Sequence, residues 1–360
     1  MRRHSLWALV ILIGLALSLG ACAAESTDSD PTGVDEPVEP EIAGVLVPHG
    51  SWPTGMPDGI PVPEDGVLVF QAEIAVGNDL AVGSTPYGER HVRVGGEGVV
   101  SGPRMSGIVM PGSLDFDLTL TNGVVERQQV LVFQTDDGSF LYARGAGTGP
   151  DANDVRTVLN VEAPNDSAWA WMHTADLVAR RVLDPDAGTM TLTVYDVTDV
   201  AAGDATAAVV PIEKPVGVPY QSWDYRIADP AEMPGDELIV ETVTLAPSQA
   251  VGPTRDGIRR NIIPITGGTL EGQISGQVLF GGADYQNLSA PPTIDAQYLW
   301  ETDDREIIIV RNGGSFGGLV PTFETRTDGP YAWLNTGLYL SANPIGAPGG
   351  VGITMYESTR

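Results

Sequence analysis

At 360 residues the chain has room for two domains of ordinary size, and a hydrophobic share of 42% is enough to give each a buried core. The 19 basic and 47 acidic residues leave a formal charge of −28, a surface that repels phosphates and argues against nucleic acid as a partner. With 44 glycines, 28 prolines and no sustained 3.6-residue periodicity, a helical bundle is excluded and a turn-rich all-β chain is expected.

Residues 1–21 read as an export leader. Arg2 and Arg3 precede an apolar run from Leu6 to Leu19, which closes on Leu19-Gly20-Ala21-Cys22. This resembles a bacterial lipoprotein signal, in which small residues precede a cysteine that is lipidated and becomes the new N-terminus. An ordinary signal peptide or a short membrane helix is the competing reading, although the run is shorter than the roughly 20 residues a spanning helix needs. On the lipoprotein reading the protein is exported and held through Cys22 on the bacterial cell membrane or outer membrane. Loss of Arg2 and Arg3 would then move the formal charge from −28 to −30. Cys22 is the one cysteine, so a disulfide and thiolate chemistry are excluded from the folded part.

Residues 22–64 follow as an acidic, Pro-rich tether. Up to Ala43 they include Glu25, Asp28, Asp30, Asp35, Glu36, Glu39 and Glu41 with Pro31, Pro37 and Pro40, and no basic residue. Such a stretch has too little apolar area to offset its chain entropy, so disorder is expected.

From there the chain repeats itself. Repeat one, residues 65–199, opens on a β-rich run from Val67 to Val76; repeat two, residues 237–360, opens on Leu238 to Ala246. Gly83, Thr85, Gly88 and Arg90 match Gly252, Thr254, Gly257 and Arg259 at a spacing of 169. Asp115 and Asp284 follow matching glycine-rich segments. Thr135-Asp136-Asp137, Arg144, Glu162, Trp171 and His173 then match Thr302-Asp303-Asp304, Arg311, Glu324, Trp333 and Asn335. Gapped offsets over the whole span imply duplication of a complete domain. Residues 200–236 read as a linker that packs partly on one barrel, because Tyr220, Trp223 and Tyr225 are costly to leave in water.

Short strands and frequent glycine turns favour an antiparallel barrel of roughly eight to ten strands per repeat. Two fused copies then form an intramolecular pseudo-dimer, the covalent equivalent of a homodimer, in a protein that is otherwise monomeric. The run Arg259 to Gly268, Val278 to Tyr285, Thr302-Asp303-Asp304, Phe323-Glu324-Thr325 and Tyr331 to Asn335 resembles domain-of-unknown-function family 3237. This family is also grouped as AtaL-like, after a protein encoded in an antibiotic gene cluster. The resemblance covers essentially all of repeat two and implies a compact, commonly paired antiparallel β-barrel. Repeat one is a divergent copy, with Pro111-Gly112-Ser113 in place of Gly281-Gly282-Ala283 and Met172-His173 in place of Leu334-Asn335.

Repeat two holds no His, Cys or Lys, which excludes a Ser-His-Asp triad, a thiol nucleophile, a Schiff-base lysine and a His-ligated metal within it. Gly313-Gly314-Ser315-Phe316-Gly317 spells a nucleophile elbow but no helix follows, and Asp184-Pro185-Asp186 starts a calcium-loop pattern that lacks its closing Glu and reads as a turn. No metal or cofactor is expected. Two readings of the remaining polar set stay open. In the chemical reading, Glu324 or Asp284 moves a proton, Arg311 and Asn335 grip a carboxylate or carbonyl, and Tyr331 and Trp333 stack on a ring, with Arg259 and Tyr298 completing the ligand set. In the structural reading, Asp303-Asp304 caps a turn, Glu324 and Arg311 form a buried pair and the aromatics fill the core. Functionally these correspond to a surface lipoprotein whose barrel binds a small uncharged or cyclic molecule or a protein partner, or to a lyase or isomerase acting on a carbonyl-containing ring compound. A purely adhesive or scaffolding pair is the third option.

Overall fold

The computed structural model describes residues 45–47, 60–119, 123, 125–149, 151–201 and 225–359. Cys22, the leader, nearly all of the tether, Tyr220 and Trp223 lie outside the described residues. Among the described residues no helix is long and apolar enough to cross a membrane.

A short strand β1 (Val45–Val47) has its partner late in the chain, in β11 below. Repeat one supplies β2 (Val67–Thr85), β3 (Gly88–Ser101), β4 (Gly107–Val109), β5 (Leu114–Thr119), β6 (Val125–Thr135), β7 (Phe140–Gly149), β8 (Asp154–Glu162), β9 (Leu177–Asp184) and β10 (Thr189–Asp196). Successive strands pair antiparallel, β10 returns to β2, and β4 and β5 share the place between β3 and β6. Eight strand positions thus close into a barrel, as the all-β reading expects. Closure satisfies every backbone edge, which a chain with no disulfide in its folded part uses in place of covalent staples.

Next comes β11 (Tyr225–Ile227), which pairs antiparallel with β1. From it Arg226 donates to Glu232 within the linker at 2.5 Å and to the Tyr339 carbonyl of barrel two at 2.8 Å. The linker's end is therefore fastened to the second barrel. Repeat two runs through β12 (Pro234–Leu245), β13 (Gln249–Pro253), β14 (Arg259–Gly272), β15 (Gly276–Val278), β16 (Ala283–Asn287), β17 (Thr293–Thr302), β18 (Ile307–Ser315), β19 (Val320–Glu324), β20 (Tyr339–Ser341), β21 (Ile345–Ala347) and β22 (Gly350–Ser358). The same ring forms, closed between the β19 and β20 segments by one bridge, Leu319 to Ser341. The long β2 of repeat one is here divided into β12 and β13.

Strand alternation sets the interiors. Along β2, Phe70, Ala72 and Ile74 turn inward to meet Leu131, Phe133, Leu141 and Leu192; in barrel two Ile239, Val243, Tyr298, Trp300, Phe323 and Met355 take the corresponding role. Outward faces join the barrels. Val92, Val94, Leu114 and Phe116 of repeat one pack with Leu299, Ile307 and Ile309 of repeat two. Val130, Val132 and Tyr142 of repeat one pack with Val251, Ile262, Ala283 and Tyr285 of repeat two. Each repeat thus offers its β3–β5 (or β14–β16) face to the β6–β7 (or β17–β18) face of the other, the isologous pattern of a two-fold pair. Gly281 stands at this seam with φ of 125°, and a Cβ there would meet the Val94 side chain at 2.7 Å, so no larger residue fits.

Strand register corrects one feature of the alignment. Gly83 lies opposite Arg90, and Gly252 lies opposite Arg260, so the structural counterpart of Arg90 is Arg260 and not Arg259. A one-residue step moves a side chain to the other face of a strand. Accordingly Arg260 is buried and Arg259 is exposed.

Candidate functional site

Two polar clusters cross the seam between the barrels. Glu324 ends β19, fully buried, and accepts hydrogen bonds from Arg90 Nε at 2.8 Å, Arg90 Nη2 at 3.1 Å and Thr85 Oγ1 at 2.8 Å. Arg311 Nη2 stands 3.6 Å from the same carboxylate. Burial alone would raise the Glu324 carboxyl, but the charges of Arg90 and Arg311 outweigh it and hold the group below its ordinary range. In the mirror position Glu162 accepts from Arg260 Nε at 2.7 Å and Nη2 at 2.9 Å, with Arg144 at 3.6 Å. The Arg–Glu pairs thus join one repeat to the other. Close by the first cluster lies Glu126, whose carboxyl oxygens have no hydrogen-bond partner among the described residues; burial pushes it up to about 8.

The barrel interiors differ sharply. In barrel one Asp115 accepts from Arg127 Nη1 at 3.0 Å and from Arg181, while Arg93 and Arg127 pair with Asp117. This cluster fills the interior beside Gln129 and Met190. Burial works against the Asp115 carboxylate, yet the three arginines hold its pKa low. Cross-strand register identifies the counterparts in barrel two: Arg93 and Asp115 face each other on β3 and β5, as Ile263 and Asp284 do on β14 and β16. Asp117 faces Arg127, and the same step along β16 and β17 sets Gln286 against Ile294. Barrel two has therefore kept the aspartate and carries isoleucines in place of two of its three arginines, Arg93 and Arg127.

A cavity of about 250 Å³ opens there, lined by Val243, Ile265, Ala296, Phe316 and other apolar side chains together with Asp284, Gln286, Tyr298 and Asn312. Asp284 accepts from Gln286 Nε2 at 2.7 Å and from the Asp295 backbone amide at 3.2 Å. Its oxygens pair with no cation among the described residues, and burial outweighs the two hydrogen bonds and the charge of Arg260 and pushes its carboxyl up to about 7. Asn312 is only 2% exposed; its Nδ2 donates to Ser341 Oγ at 3.0 Å, while its Oδ1 has no partner among the described residues. Behind the wall, Glu241 accepts from the Tyr298 hydroxyl at 2.5 Å and from Trp300 Nε1 at 2.9 Å, and burial pushes it up to about 7.

The residues singled out from the sequence fall into three places. Asp284 and Tyr298 line the cavity. Glu324 and Arg311 belong to the seam. Tyr331, Trp333 and Asn335 cluster at the 3₁₀ turn Ala332–Asn335, where the Tyr331 hydroxyl donates to Asp304 at 3.0 Å, Trp333 is 38% exposed, and Asn335 clamps the backbone of Thr325. Arg259 meets none of them; its backbone amide bonds Asn287 and Ser289. The cavity, the seam and the 3₁₀ turn thus divide these residues among them, with Arg259 apart from all three. Asp303-Asp304 does form a turn, with Thr302 Oγ1 bonding Asp304 at 2.6 Å, and Asp184 caps its own turn through the amides of Asp186 and Ala187. Gly313 to Gly317 ends β18 and enters a hairpin to β19, without the helix of a nucleophile elbow. Gln286, Asn312 and Glu241 were not foreseen. Glu241 left a signal, since it interrupts the inward alternation of Ile239 and Val243 in a predicted strand.

A family model for a protein of unknown function, DUF3237, matches residues 66–200 and 238–319. A UPF0311 protein of Bradyrhizobium diazoefficiens is 34% identical over 133 residues, covering 30% of this chain and 86% of that protein. A UPF0311 protein of Rhodopseudomonas palustris is 42% identical over 76 residues, covering 20% of this chain and 49% of that one. Among solved structures, a β-barrel-like protein from Acinetobacter baumannii is 30% identical with a TM-score of 0.32, covering 36% of this chain and 98% of its own.

Proposed function

This chain belongs to the DUF3237 family of proteins of unknown function, and from that premise we propose that its second barrel binds a small molecule while its first barrel is a filled structural partner. One observation carries the reading: the position that holds Arg127 against Asp117 in barrel one holds Ile294 in barrel two, where a cavity of about 250 Å³ retains a single carboxyl, Asp284, on an otherwise largely apolar wall. An apolar pocket with a few convergent polar groups is the usual form of a ligand site.

The test restores the plug. Ile294→Arg places a cation where barrel one has one, and Ala296→Leu fills the same space without charge. Fragments that raise the melting temperature of the parent chain should lose their effect in both variants. Hits that persist in both would refute the site.

A second reading keeps the acid–base chemistry but rests it on Asp284, whose carboxyl titrates near neutrality at the cavity wall. Glu324 is less suited to moving a proton because its oxygens already receive Arg90 and Thr85. Under this reading a carbonyl-containing ring compound would be turned over by a lyase or isomerase reaction, and Asp284→Asn would abolish that turnover without abolishing binding. Export and anchoring through Cys22 complete the proposal. Incorporation of a labelled fatty acid into the parent but not into Cys22→Ala tests them.

A further inference from the structure

We infer that the ligand of the barrel-two cavity is a small organic amine, an apolar body whose protonated nitrogen docks between Asp284 and Asn312. The inference rests on the cavity reading above and narrows its chemistry.

Charge gives the first argument. No Lys, Arg or His is among the described residues that line the cavity, because Ile263 and Ile294 stand where barrel one has Arg93 and Arg127. Arg260 on β14 lies close enough to act on Asp284, but its guanidinium is committed to Glu162 and to the Tyr285 carbonyl at 2.8 Å. The other groups that face Asp284 add no cation: Asp295 and Tyr298 from β17, Tyr285 on its own strand, and Glu241 on β12 behind Tyr298. A carboxylate or phosphate ligand would enter against a carboxyl with nothing to neutralise it.

Hydrogen bonding gives the second argument. The Tyr298 hydroxyl donates to Glu241, and Gln286 Nε2 donates to Asp284 while Gln286 Oε1 accepts from Asn261 at 2.9 Å. Asn312 Nδ2 donates to Ser341. What remains at the cavity is acceptor capacity: Asn312 Oδ1 has no partner among the described residues, and each Asp284 oxygen, with one donor apiece, keeps a second lone pair. An ammonium group supplies three donors and a charge, and it suits both acceptors. Phe316 and Tyr298 also line the cavity and give the rest of the molecule aromatic surface to pack on. On docking, the Asp284 proton leaves to solvent and the ammonium takes its place.

Calorimetric titration of the full chain with benzylamine, benzyl alcohol and benzoate separates the possibilities. Benzylamine should bind at least about tenfold tighter than benzyl alcohol, with benzoate weakest. Asp284→Asn should remove that preference while leaving benzyl alcohol within about twofold, and Ala296→Leu should weaken benzylamine and benzyl alcohol alike. Benzyl alcohol or benzoate binding as tightly as benzylamine would overturn the amine assignment and leave the cavity reading standing, as would a preference unchanged in Asp284→Asn. Binding of none of the three, or binding unaltered by Ala296→Leu, would overturn the cavity reading and the assignment with it.

Discussion

Arg90 of repeat one donates through two of its nitrogens to Glu324 of repeat two, at 2.8 and 3.1 Å, in a site where neither side chain is more than 1% exposed. Removing one partner of such a pair leaves the other charge buried and uncompensated, which costs about 3–5 kcal/mol. Glu324→Ala should therefore destabilise by that amount in guanidinium denaturation, and Arg90→Ala by a similar amount. Because each single change already forfeits the shared interaction, the double variant should cost much less than the two single changes together. Additive losses would show that the pair does not hold the barrels together.

Among the described residues three carboxyls are driven upward by burial: Glu126 to about 8, Glu241 to about 7 and Asp284 to about 7. In the unfolded chain such groups titrate near 4, so between about pH 4 and 8 the folded state holds more protons. Their contribution is complete below the unfolded pKa and is lost as pH rises through the folded values. Glu324 and Asp115, whose pKa values are lowered, act oppositely, and their contribution disappears only under acid conditions. The melting temperature should fall steadily from pH 5 to pH 8, and Glu126→Gln should flatten that slope. A slope that is flat or rising in the parent chain would contradict the assignment of these groups.

Strand periodicity, turn residues and the ordered repeat were enough to read two barrels and their pairing from the sequence, because those signals are local or act at a fixed spacing. The site was less legible. Glu324, Arg311 and Asp284 all lie in one repeat and in polar surroundings, but whether a strand residue faces the seam or the interior depends on partners in the other repeat, such as Arg90. Arg259 and Arg260 are adjacent, and a turn one residue longer than in repeat one decides which is buried, because Gly83 pairs with Arg90 whereas Gly252 pairs with Arg260. The cavity was written as an absence, two isoleucines in place of arginines, which emerges once the strands are in register.

Glu241 offers a test of how the second barrel tolerates its polar interior. Its place in register is held by Ala72 in barrel one, and the places of Tyr298 and Trp300 by Leu131 and Phe133. Glu241→Ala alone strands a buried hydroxyl and an indole N–H, each costing about 1–3 kcal/mol. Adding Tyr298→Leu and Trp300→Phe removes those orphaned donors. The triple variant should recover much of the loss seen in the single one; a triple variant less stable than Glu241→Ala would mean that packing, not hydrogen bonding, dominates here.

His173 and Asn335 do the same work in the two repeats with unequal means. Asn335 receives the Thr325 amide at 3.0 Å on Oδ1 and donates to the Thr325 carbonyl at 3.0 Å from Nδ2, two bonds that fix the residue next to Glu324. His173 presents one ring nitrogen, Nε2, to both the Ala163 amide at 3.0 Å and the Ala163 carbonyl at 2.9 Å. A single nitrogen accepts or donates, so one backbone group is always less well served. His173→Asn supplies both functions at once and should stabilise the chain by about 0.5–1.5 kcal/mol, the worth of one additional intramolecular hydrogen bond. Asn335→Ala should cost about 2 kcal/mol by leaving both backbone groups of Thr325 unmatched. Chemical denaturation of the two variants decides the matter, and a His173→Asn chain less stable than its parent would show that the imidazole ring's packing outweighs the bond it fails to make.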